Sequence, residues 1–231
     1  MNQVSMKKES LMDYKAVIFD LDGTLYYQKP FRIRMAAFLL KHLLCHPSSF
    51  RELLIIRTYR KVRENWEQYE NEEQNFQDTD LDTRQYLYVA QQYKTSAQKV
   101  KDIIHFYMLE APLKLLLPYR DDKLADIIRQ LKSDGRKIII YSDYPVKDKL
   151  QALQIEADMF FTSADAEIGC MKPDPKGLEV IRKATGYDAQ DMIMIGDRYE
   201  KDGIAAISND IDYVILDSNQ KKREAFEEKL L

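Results

Sequence analysis

The chain has 231 residues, a formal net charge of −3, 45% hydrophobic residues and 32% charged ones. This is the balance of a soluble globular protein, and it gives no bias toward nucleic acid or any other polyanion. The length fits one large domain, or a core domain carrying a smaller insertion.

The N-terminal stretch MNQVSMKKESLMDYKA has lysines but no apolar run long enough for a signal peptide. Nowhere does the chain approach the run of about 18 apolar residues needed to span a bilayer. The two cysteines, Cys45 and Cys170, lie far apart with no partner spacing, so neither a disulfide framework nor a zinc site is indicated. A cytoplasmic protein without a membrane partner is expected.

The first strand is predicted over Lys15 to Phe19, and it runs into Asp20-Leu21-Asp22-Gly23-Thr24. On a continuing strand, residues two apart face the same side, so the two carboxylates would crowd and repel. Two readings stand at this point. Asp, Gly and Thr are ordinary turn residues, and Asp-Gly is a hairpin signal. Alternatively, a divalent cation makes the clustered charge favourable.

From about Gln28 to Leu117 the pattern turns helical, rich in tyrosine and charge. FRIRMAAFLLKHLL is stopped by Pro47, and Ser49 with Glu52 forms a capping box that opens FRELLIIRTYRKVRENWEQY. LDTRQYLYVAQQY gives a third helix, and Thr95 with Gln98 caps a fourth, AQKVKDIIHFYML, which ends before Pro112. His42, Cys45 and His46 sit close together at a helix end, but nothing supplies the fourth ligand of a closed metal shell. Tyr59, Tyr69, Tyr86, Tyr88 and Tyr93 read as packing residues, and Trp66 with its charged neighbours as a solvated helix face.

From Pro118 the period alternates again. YRDDKLADIIRQLKSDG is an amphipathic helix closed at Asp134-Gly135, followed by the strand KIIIYSD. A short helix PVKDKLQAL leads to the strand DMFFTS. Asp174 and Pro175 then take the N-cap and N1 positions of the helix KGLEVIRKATG, and the strand DMIMIGD follows. A helix around DGIAAI, the strand DYVILD and a charged helix from about Ser218 complete the chain. Strands alternating with helices imply a doubly wound parallel α/β sheet, Rossmann-like, with helices on both faces.

In such a sheet, ligands bind beyond the carboxyl ends of the strands. Those ends carry Asp20 and Asp22, Ser142 and Asp143, and Asp197 with Asp202 further on, while Lys172 stands in CMKPDPKG. Clustered carboxylates with one hydroxyl and one lysine form a hard-cation, oxygen-ligand inventory suited to magnesium and a phosphate group.

FDLDGTL at 19–25, Ser142 after an apolar strand, Lys172 in KPDP, and GDRYEKD at 196–202 occur in the order of the four motifs of the haloacid dehalogenase superfamily, which the chain therefore resembles. The resemblance covers roughly residues 15–217. It implies a catalytic core of residues 1–27 and 118–231, with 28–117 as a helical cap that closes over the leaving group, as in phosphoglycolate phosphatase-like members. The connection between Ser142 and Lys172 is too short for a second cap.

The resemblance also implies a role for each matched position. Asp20 is the nucleophile that forms an aspartyl-phosphate, and Asp22 the acid and base that serves the leaving oxygen and then water. Thr24 orders the loop, Ser142 binds the phosphoryl group, and Lys172 steadies Asp20 and the phosphate. Magnesium is held by Asp20, the backbone carbonyl of Asp22 and Asp197, with Asp202 supporting through a water or the second shell. The dehalogenases of the superfamily lack an acid at the position of Asp22, and a halide leaving group has no need of one.

The expected activity is thus magnesium-dependent hydrolysis of a small phosphorylated metabolite, such as a sugar phosphate, phosphoglycolate or a nucleotide. A phosphomutase is the second enzyme reading, although such mutases carry a further aspartate and a histidine where this chain has YYQKPFRIR. A non-catalytic phosphate-binding or interaction module is the third. Neither the substrate nor the oligomeric state is legible in the sequence.

Overall fold

In the computed structural model, which describes residues 3–70 and 79–230, six strands form one sheet. They are β1 (Gln3–Ser5), β2 (Ala16–Phe19), β3 (Lys137–Ser142), β4 (Met159–Thr162), β5 (Met192–Gly196) and β6 (Asp212–Ile215), in the spatial order β1-β6-β5-β2-β3-β4. All neighbours pair in parallel except β1, which runs antiparallel to β6 with Val4 opposite Val214. The doubly wound parallel sheet is as expected, with β1 added as an antiparallel edge. A three-residue edge strand reading Gln-Val-Ser has too little apolar pattern to be seen beforehand, and an antiparallel edge on a parallel sheet is common.

β2 lies at the centre between β3 and β5, and all four of its residues are buried. From it the chain winds outward to β3 and β4 on one side and β5 and β6 on the other. The winding direction therefore reverses at β2, which opens a crevice beyond its carboxyl end. Ala16, Ile18, Ile139, Met192 and Met194 pack with Leu178 and Ile181 of α9 (Lys176–Thr185), which covers one face of the sheet.

The chain divides into two compact units, Met1–Phe31 with Leu116–Leu231, and Arg32–Leu115. The sheet belongs to the first. With it go α7 (Asp122–Ser133), α8 (Lys147–Leu153), α9, α10 (Ile204–Ile207) and α11 (Gln220–Glu227). α7 begins where the Asp121 side chain accepts from the Leu124 N–H at 3.1 Å, a side-chain cap at the first turn.

The second unit is helical: most of α1 (Gln28–Cys45), then α2 (Phe50–Glu64), α3 (Trp66–Glu70), α4 (Leu81–Gln92), α5 (Ala97–Ile104) and most of α6 (Leu113–Leu116). The single helix expected from Phe50 to Tyr69 breaks at Asn65. The helix expected through Leu109 widens after Ile104 into a wider-wound stretch, His105–Glu110. Ser49 makes no capping bond, and Glu52 instead accepts from the Tyr107 hydroxyl at 2.8 Å. The cap of α5 is Ser96 rather than Thr95, bonding the Lys99 N–H.

Tyr59 and Tyr86 stack at 5.4 Å in the core of this unit, around a buried Arg63 that donates to Asp82 and Gln85 at 2.6 Å each. Trp66 is buried as well, with Arg84 above its ring, which corrects its placement on a solvated face. A large ring on a short charged helix is read as exposed from pattern alone; tertiary packing decides otherwise. No helix among the described residues is long and apolar enough to cross a membrane.

Candidate active site

Asp20 stands at the end of β2, and its N–H still bonds the Ile195 carbonyl at 2.8 Å, so the sheet itself fixes its backbone. Oδ1 accepts from Lys172 Nζ at 2.7 Å and Oδ2 from Thr24 Oγ1 at 3.0 Å. Lys172 reaches Asp20 because Asp143, at the end of β3, accepts from the Lys172 N–H at 3.0 Å and from Ser163 Oγ at 2.6 Å. The Lys172 ammonium also donates to Asp202 Oδ1 at 2.6 Å. Burial alone would lower its pKa, but the charges of Asp20, Asp202 and Asp143 outweigh that and hold it well above the usual lysine range.

Two glycines let the acidic groups approach the backbone. A Cβ on Gly23, whose φ is +105°, would lie 2.2 Å from Asp197 Oδ2. A Cβ on Gly196 would lie 2.3 Å from Asp202 Oδ2. Asp202 stands in the wide turn Tyr199–Gly203 and takes the Arg198 N–H at 3.2 Å.

Asp20, Asp197 and Asp202 thus each offer a carboxylate oxygen within 4.8 Å of one another, and they are the one such group of metal-ligating side chains among the described residues. Burial, then Asp20 and Asp202, push the Asp197 carboxyl up to about 8 against the pull of Arg198. Burial pushes Asp20 up to about 6 despite Lys172, with Asp202 and Asp22 adding to the rise. Three converging carboxylates with one ammonium carry surplus negative charge, and an all-oxygen set at this spacing fits a hard divalent cation.

Asp22 is held apart from that cluster. Lys149, on α8, donates to both its carboxylate oxygens, at 2.6 and 2.7 Å, and the Tyr26 hydroxyl donates to Oδ1 at 2.6 Å. Burial would raise this carboxyl, but the Lys149 charge and hydrogen bond, with that of Tyr26, keep it below the usual carboxylate range. Its backbone oxygen, the atom expected to face the metal, has Gln28 Nε2 at 3.4 Å. Ser142 is buried, and its hydroxyl accepts from the Tyr144 N–H at 3.1 Å.

The loop after β2 is fastened from the far end of the chain. Arg223 of α11 is 1% exposed and donates to the carbonyls of Gly23, at 2.8 Å, and Thr24. Its Nε meets Asp121 at 2.7 Å and Glu227 at 2.8 Å, so two carboxylates balance the buried guanidinium. Burial pushes Glu227 up to about 7 against the attraction of Arg223, with Asp121 adding to the rise.

All seven residues singled out from the sequence lie in one unit. Asp20, Thr24, Lys172 and Asp202 are joined by direct hydrogen bonds, and Asp197 joins the carboxylate cluster. Sequence reasoning did not find Lys149, Tyr26, the carboxylate role of Asp143, or Arg223. Only Asp143, adjacent to Ser142, carried a local signal.

The sequence model of the haloacid dehalogenase-like hydrolase family matches residues 14–210. Among solved structures, the chain is similar to the magnesium-bound HAD-hydrolase YfnB from Bacillus subtilis, with a TM-score of 0.62 and 14% identity over 94% of this chain and 98% of that one. It is similar to a 2-haloacid dehalogenase from Pseudomonas syringae pv. Tomato DC3000, with a TM-score of 0.58 and 14% identity over 87% and 85%. A HAD phosphatase from Thermococcus onnurineus aligns with a TM-score of 0.53 and 19% identity over 89% and 87%. At these identities the likeness is one of fold. No curated protein matches the chain.

Proposed function

Because the chain belongs to the haloacid dehalogenase-like hydrolases, we propose that it is a magnesium-dependent phosphomonoester hydrolase that works on a small phosphorylated metabolite through Asp20. The observation that carries this reading is the second carboxylate: Asp22 sits two residues beyond Asp20 but outside the Asp20, Asp197 and Asp202 cluster, held by its own partners. Breaking a phosphate ester leaves an alkoxide that needs a proton, whereas a departing halide does not. A carboxyl group separate from the cation cluster would carry that proton once the leaving group takes the place of Lys149, whose ion pair favours the ionised form of Asp22.

In this reading an Asp20 oxygen attacks phosphorus, the P–O bond to the alcohol breaks, and the leaving oxygen takes a proton from Asp22. Water then attacks the aspartyl-phosphate, giving a proton back to Asp22 and releasing inorganic phosphate with Asp20 restored. Lys172 holds the nucleophile in place and offsets phosphoryl charge, and Ser142 and the backbone N–H groups of the loops hydrogen-bond the phosphoryl oxygens. Magnesium, held by Asp20, Asp197 and Asp202 with the Asp22 carbonyl, would supply positive charge to the equatorial oxygens.

The test is hydrolysis of p-nitrophenyl phosphate and a panel of phosphorylated metabolites, with magnesium and with chelator, using Asp20→Asn as the blank. Magnesium-dependent turnover that disappears in the variant is expected. Turnover of a 2-haloacid without phosphate release, or equal rates for wild type and variant, would overturn the reading.

A further inference from the structure

We propose that the outward face of α1, in the helical unit, docks on an anionic lipid surface, an inference independent of the hydrolase reading. Ile33, Leu40 and Leu44 are 72%, 59% and 74% exposed. At 3.6 residues per turn they fall with the exposed Ala37 in one stripe along the helix, opposite the buried Phe31 and Met35. Arg32 stands at one edge of the stripe, Arg34 and Lys41 at the other; all three are exposed, and α1 holds no acidic residue. A helix apolar on two opposite faces is ordinarily buried, so the outward stripe calls for a second contact.

The charge around the stripe narrows the choice of contact. Residues 28–63 contain nine lysines and arginines against one acidic residue, Glu52, in a chain whose net charge is −3. The net value averages this basic run away against acidic residues elsewhere. Phe50 and Arg51, both exposed, repeat the apolar and basic pairing at the start of α2.

A second copy of the chain fits poorly. Paired face to face, Arg32, Arg34 and Lys41 would meet cations of their own kind, and the stripe falls short of the roughly 20–30 residues a side that a stable interface uses. Nucleic acid would engage the cations but leave three aliphatic side chains without an apolar partner. An anionic bilayer surface answers both parts. Aliphatic side chains sink to the boundary of headgroups and acyl chains, while the flanking lysine and arginine side chains meet lipid phosphates. The expectation of no membrane partner rested on the lack of a spanning run, and a helix that lies in the surface needs none.

The test is co-flotation of the chain with vesicles of phosphatidylcholine alone and of phosphatidylcholine mixed with phosphatidylglycerol, at low and high salt, with oligomeric state read by light scattering. Wild type should bind the mixed vesicles, bind the neutral ones far less, and be released as salt rises. Combined Arg32→Gln, Arg34→Gln and Lys41→Gln should lower partitioning by roughly 100-fold, and combined Leu40→Ser and Leu44→Ser by about tenfold. The melting temperature should hold in both variants, because all five side chains are exposed. No binding to the mixed vesicles, equal binding to both kinds, or binding that survives both variants would overturn the proposal. So would a stable dimer of the free chain that the leucine variant dissociates, which gives the stripe to a second copy.

Discussion

Replacing Gly23 with alanine tests the closest approach in the site. The new Cβ would lie 2.2 Å from Asp197 Oδ2 and 2.7 Å from its Cγ, so reaching an ordinary contact of 3.4 Å requires a retreat of about 1.2 Å. The neighbour is the carboxylate end of Asp197, so relieving the clash means moving that carboxylate from its place beside Asp20 and Asp202. A misplacement of about 1 Å typically costs on the order of 10²-fold in rate. That corresponds to about 2.7 kcal/mol of barrier.

The substitution also forces alanine into a backbone conformation with φ near +105°, a strain worth roughly 1–2 kcal/mol of stability. Gly135 separates the two effects, because its φ is +81° but an added Cβ meets nothing within 4 Å. Gly135→Ala should lower the melting temperature and leave kcat/KM unchanged, whereas Gly23→Ala should lower both and weaken the magnesium dependence of turnover. The assay is magnesium titration of p-nitrophenyl phosphate hydrolysis, with thermal melts alongside. If Gly23→Ala keeps kcat/KM within about threefold of wild type, the claim that the Asp197 position matters to the chemistry is wrong.

Two further predictions concern charge. The raised carboxyl groups of Asp20 and Asp197, at about 6 and about 8, make the metal-free folded state bind more protons than the unfolded one. Their contribution to stability is full below about pH 4 and is lost as pH rises toward 8, the sign expected for raised acids. Added magnesium should therefore raise the melting temperature more at pH 8 than at pH 6; a shift independent of pH in scanning fluorimetry would contradict this. Arg223→Met would leave Asp121 and Glu227 as buried, unbalanced charges at a cost of about 3–5 kcal/mol. In a chain of this size that is a fall on the order of 10 °C by calorimetry, and an unchanged melting temperature would refute it.

What was legible in the sequence follows from range. The strands that place Asp20, Ser142 and Asp197 are short apolar runs ending in polar residues, a pattern contained within each segment. Glycine, threonine and aspartate after the first run, with lysine before proline later, gave the inventory its order. Lys149 was invisible because a lysine on a charged helix is ordinarily solvated, and only the fold brings it to Asp22 across 127 residues. Trp66 went wrong for the same reason, since its burial depends on neighbours contributed by other helices. Ser49 and Glu52 had the spacing of a capping box, yet Glu52 found the Tyr107 hydroxyl 55 residues on. The edge strand Gln3–Ser5 was too short to carry a period at all.

The span between Arg223 and the loop it fastens is 200 residues, and the family match ends at residue 210. During synthesis the Gly23-Thr24 loop is made well before α11, and every residue of the candidate site up to Asp202 precedes the guanidinium that holds the loop's carbonyls. A nascent chain, or one clipped within the last turn of the sequence before α11, would carry the full set of acidic groups on an untethered loop. The order of synthesis thus leaves these two carbonyls without their Arg223 hydrogen bonds until α11 has been made.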